Sequence, residues 1–281
     1  MKPSIEALPT ISTRAIAEGA DWSIRDVVCR AGPQDRPYEE RHSRVSIAAV
    51  VAGSFHYRGE NGNALLYPGS LLLGNQGTCF ECGHQHGTGD RCIAFHFAPA
   101  LFAEISASAA GSHRFRFTAA MVPAMPELLP TLVEIEALTE GARAMAGEAL
   151  AIRLAERVGE TMSGVRASGA KPSPGDERRI SAVLRYIEQH ADGAVDLDRL
   201  AAMAAMSKYH FLRVFRRTTG LTPYKFLLGA RMRRAAVKLR TSRLPVSQIA
   251  YDAGFGDLST FNNRFRDLFG SSPSRFRAAR A

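Results

Sequence analysis

A run of cysteines and histidines between residues 79 and 96 holds the side chains best suited to metal or redox chemistry. Cys82, His84 and His86 alternate, so they would share one face of a β-strand. Cys92 and His96 alternate in the same way after a Gly-Thr-Gly-Asp turn, and an odd-length loop in this hairpin would bring all five to one side. Thiolate and imidazole at such spacing suit Zn²⁺ or a softer ion such as Cu(I). We predict a site for zinc or another transition-metal ion formed by Cys82, His84, His86 and Cys92.

Two other interpretations of this run stay open: core cysteines beside surface histidines, and a thiol redox sensor. All four cysteines of the chain (Cys29, Cys79, Cys82 and Cys92) lie in its N-terminal part. A reducing cytoplasm keeps such cysteines free rather than paired in disulfides. An even-length loop would also move Cys92 to the opposite face of the hairpin, away from the other ligands.

A second set of side chains, suited to reading DNA, belongs to an internal repeat with an offset of 50 residues. The segment that starts at Ser207 matches the segment that starts at Asp257, and each follows a short apolar helix. Serine and aspartate are favoured N-caps and a glycine ends each following helix, which is the pattern of a helix-turn-helix. We therefore predict two such units in series. The matched pairs are Phe211 and Phe261, Phe215 and Phe265, Arg216 and Arg266, Gly220 and Gly270, and Pro223 and Pro273.

Projection at about 100° per residue divides the second helix of each unit into an apolar face and a polar face. Arginine can bond guanine and asparagine can bond adenine in the major groove, each worth about 1–3 kcal/mol of discrimination. A solvated surface would be the simpler interpretation of a single helix of this kind, but the duplication, the basic charge and the turn residues favour DNA contact. The outward residues are Tyr209, Leu212, Arg213 and Arg216 in the first helix and Ser259, Asn262, Asn263 and Arg266 in the second.

Residues 224–240 have the period of one helix that connects the two units. A helix of this length is a rod of about 25 Å. It could set the two reading helices in successive major grooves of double-stranded DNA, about 34 Å apart. Arg233 and Lys238 lie off its apolar stripe, and we predict that both contact phosphates.

Composition separates the chain into two parts and argues against a membrane protein. Residues 176–281 hold 20 Lys+Arg against 9 Asp+Glu, a net of +11, whereas residues 1–175 hold 16 against 18, a net of −2; together these give the +9 of the chain. A cationic domain suits a polyanion, because each neutralised phosphate releases counterions. No apolar run approaches the roughly 18–20 residues of a membrane span and no secretory signal is visible, so we expect a cytoplasmic protein with no membrane partner.

The elements that must position these residues form an α+β multidomain protein. Short strands alternate with turns from residue 20 to about 100, which is typical of a small β-barrel or sandwich. Helical periodicity over 126–162 predicts two trailing helices, and composition predicts a linker over 163–176, with Asp176 as the next N-cap. We thus predict an effector and dimerisation domain over 1–165 and an all-α DNA-binding domain over 177–281, with two helix-turn-helix units joined by a linker helix.

Residues 176–281 resemble the DNA-binding domain of the AraC/XylS family of bacterial regulators. Beside the repeat, the resemblance is carried by Leu200-Ala201, Arg231-Met232, Ile249-Ala250, Gly254-Phe255 and Phe276-Arg277. It implies that Lys208 and Leu258 join the base-contacting residues, while Arg264 departs from the apolar residue that the family usually carries. It also implies a cupin-like β-barrel sensor followed by helices that pair subunits into a homodimer. In that part the resemblance rests mostly on layout and on the Pro68–Gly74 segment.

We predict a sequence-specific transcription regulator rather than an enzyme. A small-molecule, metal or thiol signal in the N-terminal domain would shift the placement of the DNA-binding domains or free one to contact RNA polymerase. Three other classes fit the residues less well. A metal-cupin enzyme would need a His-x-His followed by a Glu and a later His, and a relative of the alkylation-repair sensors would need closely paired cysteines, unlike Cys29 and Cys79. An architectural DNA-bending protein would not need outward arginines and asparagines.

Overall fold

Two units make up the chain in the computed structural model, which describes residues 11–84, 87–110, 116–139, 147–164 and 173–279. The first, here called the β unit, is Met1–Val122 with Ala144–Ser168. The second, here called the helical unit, is Pro123–Arg143 with Gly169–Ala281. Among the residues described, no helix combines the length and the apolar character that a membrane crossing requires.

The strands of the β unit form two antiparallel sheets. The strands are β1 (Ile11–Glu18), β2 (Trp22–Cys29), β3 (Glu39–Arg41), β4 (Val45–Gly53), β5 (Phe55–Gly59), β6 (Gly62–Leu66), β7 (Leu71–Gly74), β8 (Cys79–Gly83), β9 (Asp90–Phe97) and β10 (Met121–Val122). One sheet has the order β1-β2-β9-β4-β7-β10, and the other has the order β3-β8-β5-β6. The strands that the sequence predicts over residues 45–73 are confirmed as β4 to β7.

The two sheets share one apolar core. Val50 and Ala94 of the first sheet lie in the same buried cluster as Phe55, Tyr57 and Leu66 of the second. The turns between these strands use glycine where the backbone needs a positive φ, as at Gly69 with φ of 89°. Within the described residues neither sheet closes on itself, so the structure has a β-sheet domain and the cupin-like barrel stays a prediction.

The predicted hairpin between the two halves of the cysteine–histidine run is wrong. β8 pairs with β3 and β5 in one sheet, whereas β9 pairs with β2 and β4 in the other. The alternation of residues along each strand is correct, but alternation alone does not specify which strand is the neighbour.

Two helices complete the β unit. α1 (Pro99–Ala110) contacts α3 (Gly147–Gly164), and α3 also contacts β1 and β2. Leu150, Leu154 and Val158 are buried, as the helical period over this segment predicts.

The helical unit contains a short 3-10 turn at Pro126–Leu128 and eight of the described helices. They are α2 (Leu129–Thr139), α4 (Pro174–Gln189), α5 (Leu197–Met203), α6 (Lys208–Thr219), α7 (Pro223–Thr241), α8 (Val246–Asp252), α9 (Leu258–Phe269) and α10 (Pro273–Ala278). Ser173, not Asp176, is the N-cap of α4, and its side chain accepts a hydrogen bond from the Asp176 amide. Both helix-turn-helix units and the linker helix α7 are present where the repeat predicts them.

The position of α2 differs from the predicted domain boundary. The sequence groups residues 126–162 with the N-terminal domain, but α2 packs in the helical unit, against α7 and α9. Leu129 and Val133 share an apolar cluster with Met232 and Phe261. Periodicity identified α2 as a buried helix, but an apolar face does not say which partner covers it.

Candidate nucleic-acid interface

The first of the two helices predicted to read DNA, α6, is fixed at both ends by capping residues; α6 and α9 are called the reading helices below. The Ser207 hydroxyl accepts a hydrogen bond from the His210 amide at its N-terminus. Gly220 ends the helix in the left-handed region with φ of 76°, and its amide donates to the Arg216 carbonyl. A residue with a Cβ would be strained in this conformation, which is why glycine follows both reading helices.

The two faces of α6 differ sharply in exposure. Phe211, Val214 and Phe215 are fully buried, and Phe215 packs edge-on against Phe226 of α7. On the opposite face, Tyr209 is 77% exposed and Leu212 is 36% exposed. Lys208, Arg213 and Arg216 are exposed as well. All five residues predicted on this helix are therefore accessible to a ligand.

The second reading helix, α9, repeats this geometry. The Asp257 carboxylate accepts a hydrogen bond of 2.7 Å from the Thr260 amide, and this bond lowers the pKa of Asp257. Gly270 ends the helix with φ of 68°. Phe261 and Phe265 are fully buried. The repeat thus predicts both the caps and the core of α9.

The outer face of α9 is more mixed than that of α6. Ser259, Asn263 and Arg266 are exposed, and so is Arg264, at the position that departs from the family pattern. Asn262 is half-buried. Leu258 is also half-buried and packs against the apolar cluster under the helix, so only part of its side chain faces outward.

Two of the exposed cationic side chains of α6 already have partners. Lys208 Nζ lies 2.6 Å from Asp198 Oδ1, with both side chains more than half exposed. A guanidinium nitrogen of Arg213 lies 3.2 Å from His210 Nδ1. Exposed contacts of this kind contribute little to stability, so they can be exchanged for contacts with DNA.

The prediction that Arg233 contacts phosphate is wrong. Arg233 is 5% exposed, and it lies between Glu136 of α2 (2.6 Å) and Glu188 of α4 (3.0 Å). Burial lowers its pKa, but the two carboxylates outweigh that effect and raise the pKa. The projection of α7 placed Arg233 off the apolar stripe correctly, but α2 and α4 cover that side. Lys238 is 47% exposed and lies 3.4 Å from Asp252, so its ammonium remains accessible.

The β unit contains the other candidate site, where ends of both sheets meet. His84, just after β8, places Nε2 2.6 Å from Asp90 Oδ1, and both side chains are less than a tenth exposed. Cys29 is the strand partner of Asp90, and ligand atoms of Cys29, His84 and Asp90 all lie within 4.8 Å of one another. The Cys92 thiol donates to Asp90 Oδ2 at 3.3 Å.

The electrostatics of this cluster follow from burial and from the neighbouring acids. Burial raises the pKa of the Cys82 thiol and of the Cys92 thiol well above the ordinary value, and nearby Asp90 adds to this. Burial lowers the pKa of His84, but its contacts with Asp90 and Cys29 outweigh burial and raise the pKa to about 9.

The sequence found only part of this cluster. His84 is in it, and Cys82 and Cys92 lie beside it, whereas His86 lies outside the described residues. Cys29 and Asp90 were missed. Asp90 belongs to the turn between the two cysteine–histidine segments, and Cys29 reaches it only because β2 pairs with β9. A strand pairing across sixty residues leaves no mark on local spacing.

Comparison with known proteins shows that the helical unit is similar to the helix-turn-helix domains of regulatory proteins. A family model described as a helix-turn-helix domain matches residues 200–279. The chain is 34% identical over 98 residues to regulatory protein SoxS of Salmonella typhimurium, covering 35% of this chain and 92% of SoxS. It is 28% identical over 221 residues to the uncharacterized HTH-type transcriptional regulator YbfI of Bacillus subtilis, covering 78% of each. It is 33% identical over 100 residues to the probable transcriptional regulator LumQ of Photobacterium leiognathi. This match covers 35% of this chain and 40% of LumQ.

These matches agree with the structural observations. The family model begins within α5 and covers all of α6 to α10, so it includes both reading helices. The likeness to SoxS takes in nearly all of that protein, and the likeness to YbfI extends into the β unit. The chain belongs to the AraC/XylS family, a class of sequence-specific, DNA-binding transcription regulators that are not enzymes.

Proposed function

We propose that this regulator reads two successive major grooves of one DNA duplex with α6 and α9, under the control of a signal received in the β unit. One observation carries the groove-reading part: two copies of the same capped helix each bury a pair of phenylalanines and expose hydrogen-bonding side chains on the other side. A buried pair anchors each helix, so that its outer face can enter a groove without loss of the core.

The length of the linker helix α7 supports a single continuous site. α7 has 19 residues and connects the two helix-turn-helix units within the helical unit. A helix of that length is about 28 Å long, close to the roughly 34 Å repeat of the duplex. α6 and α9 would then lie on one face of the DNA.

The exposed residues divide into two kinds of contact. Arg213, Arg216 and Asn263 carry the donors and acceptors that distinguish bases in the major groove. Tyr209 and Leu212 offer apolar surface to a thymine methyl group. Lys238 on α7 would bind phosphate, which sets the position of the protein but carries no sequence information.

The rest of the mechanism concerns control. A small molecule, a metal ion or a thiol change in the β unit would alter how the helical unit is presented to DNA or to RNA polymerase, and pairing of subunits into a homodimer would extend the operator.

Selection of bound sites from random duplex DNA, followed by binding titrations, tests the groove-reading part. We expect Arg213→Ala to lose about 1–3 kcal/mol on the selected site and to lose preference at one base pair. Lys238→Ala should weaken all sequences equally and reduce the dependence of affinity on salt by about one ion.

Arg179→Ala is the matched control, because it removes one exposed positive charge from α4 and leaves both reading helices intact. Equal losses on every sequence for Arg213→Ala would contradict direct reading by that residue. A full-length protein with no preference among duplexes would contradict the proposed function as a whole.

A further inference from the structure

We propose that Cys29, His84 and Asp90 bind a borderline divalent metal ion of the Zn²⁺ type, and that this ion is the signal that the β unit receives. The part concerning the signal rests on the proposed function above. The part concerning the metal site does not, because it concerns only the residues of the β unit.

The strand pairing brings the three ligands together from distant parts of the chain. Cys29 and Asp90 are directly opposite each other on β2 and β9, so their side chains lie on the same face of the first sheet. Cys92, two residues after Asp90, is on that face too and belongs to the core that the two sheets share. His84 follows β8 of the second sheet and reaches Asp90 from the opposite side.

The three ligand atoms are close enough together to meet around one metal ion. The three ligand atoms lie within 4.8 Å of one another. Zinc binds sulfur at about 2.3 Å and nitrogen or oxygen at about 2.0–2.2 Å in a tetrahedron, which spaces ligand atoms roughly 3.3–3.8 Å apart. His84 Nε2 and Asp90 Oδ1 are closer than this, at the 2.6 Å of a hydrogen bond. An ion would replace that hydrogen bond, and rotation of the Asp90 side chain would separate the two atoms by about 0.7 Å.

The charges also favour a divalent ion. A Cys29 thiolate and an Asp90 carboxylate each carry one negative charge, and a neutral His84 carries none, so the three ligands together balance a charge of +2. The side chains of His84 and Asp90 are 3% and 8% exposed. Burying an acid this deeply is unfavourable unless a positive charge accompanies it. The His84 imidazolium supplies that charge in its 2.6 Å ion pair with Asp90, and a metal ion would take the place of the His84 proton.

The donor set narrows the identity of the ion. One sulfur, one nitrogen and one oxygen ligand match Zn²⁺ better than Mg²⁺ or Ca²⁺, which prefer oxygen alone, and better than Cu(I), which prefers sulfur. The Cys92 thiol donates a hydrogen bond to Asp90 Oδ2 and would support that ligand from beside the set.

Two of the three ligands, Cys29 and His84, line a cleft through which an ion could reach the site. The cleft runs along Cys29, Cys82 and His84 and is bordered by Tyr38 and Glu40. A structural zinc takes all four ligands from the protein, whereas a set of three ligands beside a cleft leaves the fourth position open to water. That accessibility is what a metal-responsive regulator requires.

Titration of the metal-free full-length protein with Co²⁺ under reducing conditions tests the site. We expect one Co²⁺ per chain, with sulfur-to-cobalt charge-transfer absorption and the intense visible bands of a tetrahedral site, and displacement by Zn²⁺. Cys29→Ser and Asp90→Asn change the ligands with little change in size. Each should weaken Zn²⁺ binding by more than about 100-fold, beyond the 10–100-fold that is typical of residues that only support a ligand.

Cys79→Ser is the matched control. Cys79 is a half-exposed cysteine on β8, opposite Arg41 on β3, and is not one of the three ligands. It should bind Co²⁺ as the unchanged protein does. Fluorescence of Trp22, the single tryptophan of the chain, during unfolding by urea verifies that each variant keeps the fold of the β unit.

The outcomes separate the site from the signal. No charge-transfer band in the unchanged protein, or a band that persists in a folded Cys29→Ser variant, overturns the site whatever the DNA result. Metal binding that leaves affinity for the selected DNA unchanged overturns the signal alone. Metal binding without any DNA preference overturns the proposed function and leaves the site. A change of at least fivefold in DNA affinity with Zn²⁺, lost in Cys29→Ser, supports both parts.

Discussion

The two units of this protein bury different kinds of side chain. The helical unit buries the phenylalanine pairs of its two repeats, and Arg233 is the one titratable residue among its buried polar residues in the described ranges. The β unit buries Asp26, His42 and His84, together with several serines. The stability of an apolar core depends on the shape and volume of its side chains. The stability of a core with buried acids and imidazoles depends also on pH and on bound ions. This difference suits the proposed division of function, in which the helical unit reads DNA and the β unit receives a signal.

The largest effect expected from this comparison is the loss of a repeat phenylalanine. Phe261 is fully buried and contacts Phe255 and Phe265, so Phe261→Ala leaves a cavity and should cost about 3–5 kcal/mol. Far-UV circular dichroism in urea, which is dominated by the helices, should show this loss. The Trp22 fluorescence transition, which reports the β unit, should not move.

Tyr251→Ala is the matched control for the phenylalanine variant. Tyr251 is an aromatic residue on α8 of the same repeat, but it is 57% exposed. Its removal should change the stability by no more than about 0.5 kcal/mol. A shift of the Trp22 transition in Phe261→Ala would show that the two units do not unfold separately.

The next largest effect concerns α2. The structure places this helix in the helical unit, whereas the sequence predicts that it belongs to the N-terminal domain. Glu136→Gln keeps the size of the side chain but removes one of the two charges that hold the buried Arg233. Removing the sole partner of a buried charge costs about 3–5 kcal/mol. Because Glu188 still pairs with Arg233, we expect a smaller loss of about 2 kcal/mol, in the circular dichroism transition only. Glu127→Gln, which changes an exposed acid of the preceding turn, should have no effect.

A loss confined to the Trp22 transition would instead place α2 with the β unit, as the sequence predicts. This measurement bears on function too. The chain leaves the β unit after β10, enters α2 and returns to the β unit at α3. α2 therefore packs in the helical unit, although the chain segments before and after Pro123–Arg143 both belong to the β unit.

The sequence predicted the helical unit well because its signals are local. Ser207, Asp257, Gly220 and Gly270 mark helix ends by their own backbone and side-chain chemistry, and the repeat supplies the core residues twice. The sequence did not predict the environment of Arg233 correctly. Its place on α7 was right, but helices α2 and α4, which cover it, come from other parts of the chain.

The β unit shows the opposite balance. Period and turn residues predicted its strands, but not which strands are neighbours, and the cysteine–histidine hairpin was wrong for that reason. Cys29 and Asp90 are joined by a pairing of distant strands, so their contact depends on the topology of the sheet. Sites built across sheets are harder to predict than sites built on one helix.

The smallest effect that we argue is the pH dependence of the β unit. His42 is 8% exposed, and its ring lies against Phe80, 3.2 Å from the Tyr57 hydroxyl and 3.1 Å from the Ser46 hydroxyl. Burial, with a contribution from His96, lowers its pKa to about 4. Unfolding would expose an imidazole with a pKa near 6.5, so the unfolded state binds more protons between these two values.

The sign of the effect follows directly. Stability from His42 is fully present above about pH 6.5 and is lost as the pH falls toward 4, with about 2 kcal/mol lost at pH 5. The pKa of His96 is lowered to about 4 as well, by burial and by Arg25 and Arg44, and acts in the same direction. His84 acts in the opposite direction, because its pKa is raised to about 9 and its contribution is lost as the pH rises from 6.5 toward that value.

Urea titrations followed by Trp22 fluorescence at several values of pH test this expectation. The unchanged protein should be most stable near pH 6.5–7, and His42→Gln should remove about 2 kcal/mol of the loss between pH 7 and pH 5. The circular dichroism transition should move much less, since Arg233 keeps its proton throughout this range. Equal shifts of both transitions would mean that the buried imidazoles do not distinguish the two units, and the contrast between a proton-sensitive core and an apolar one would then be wrong.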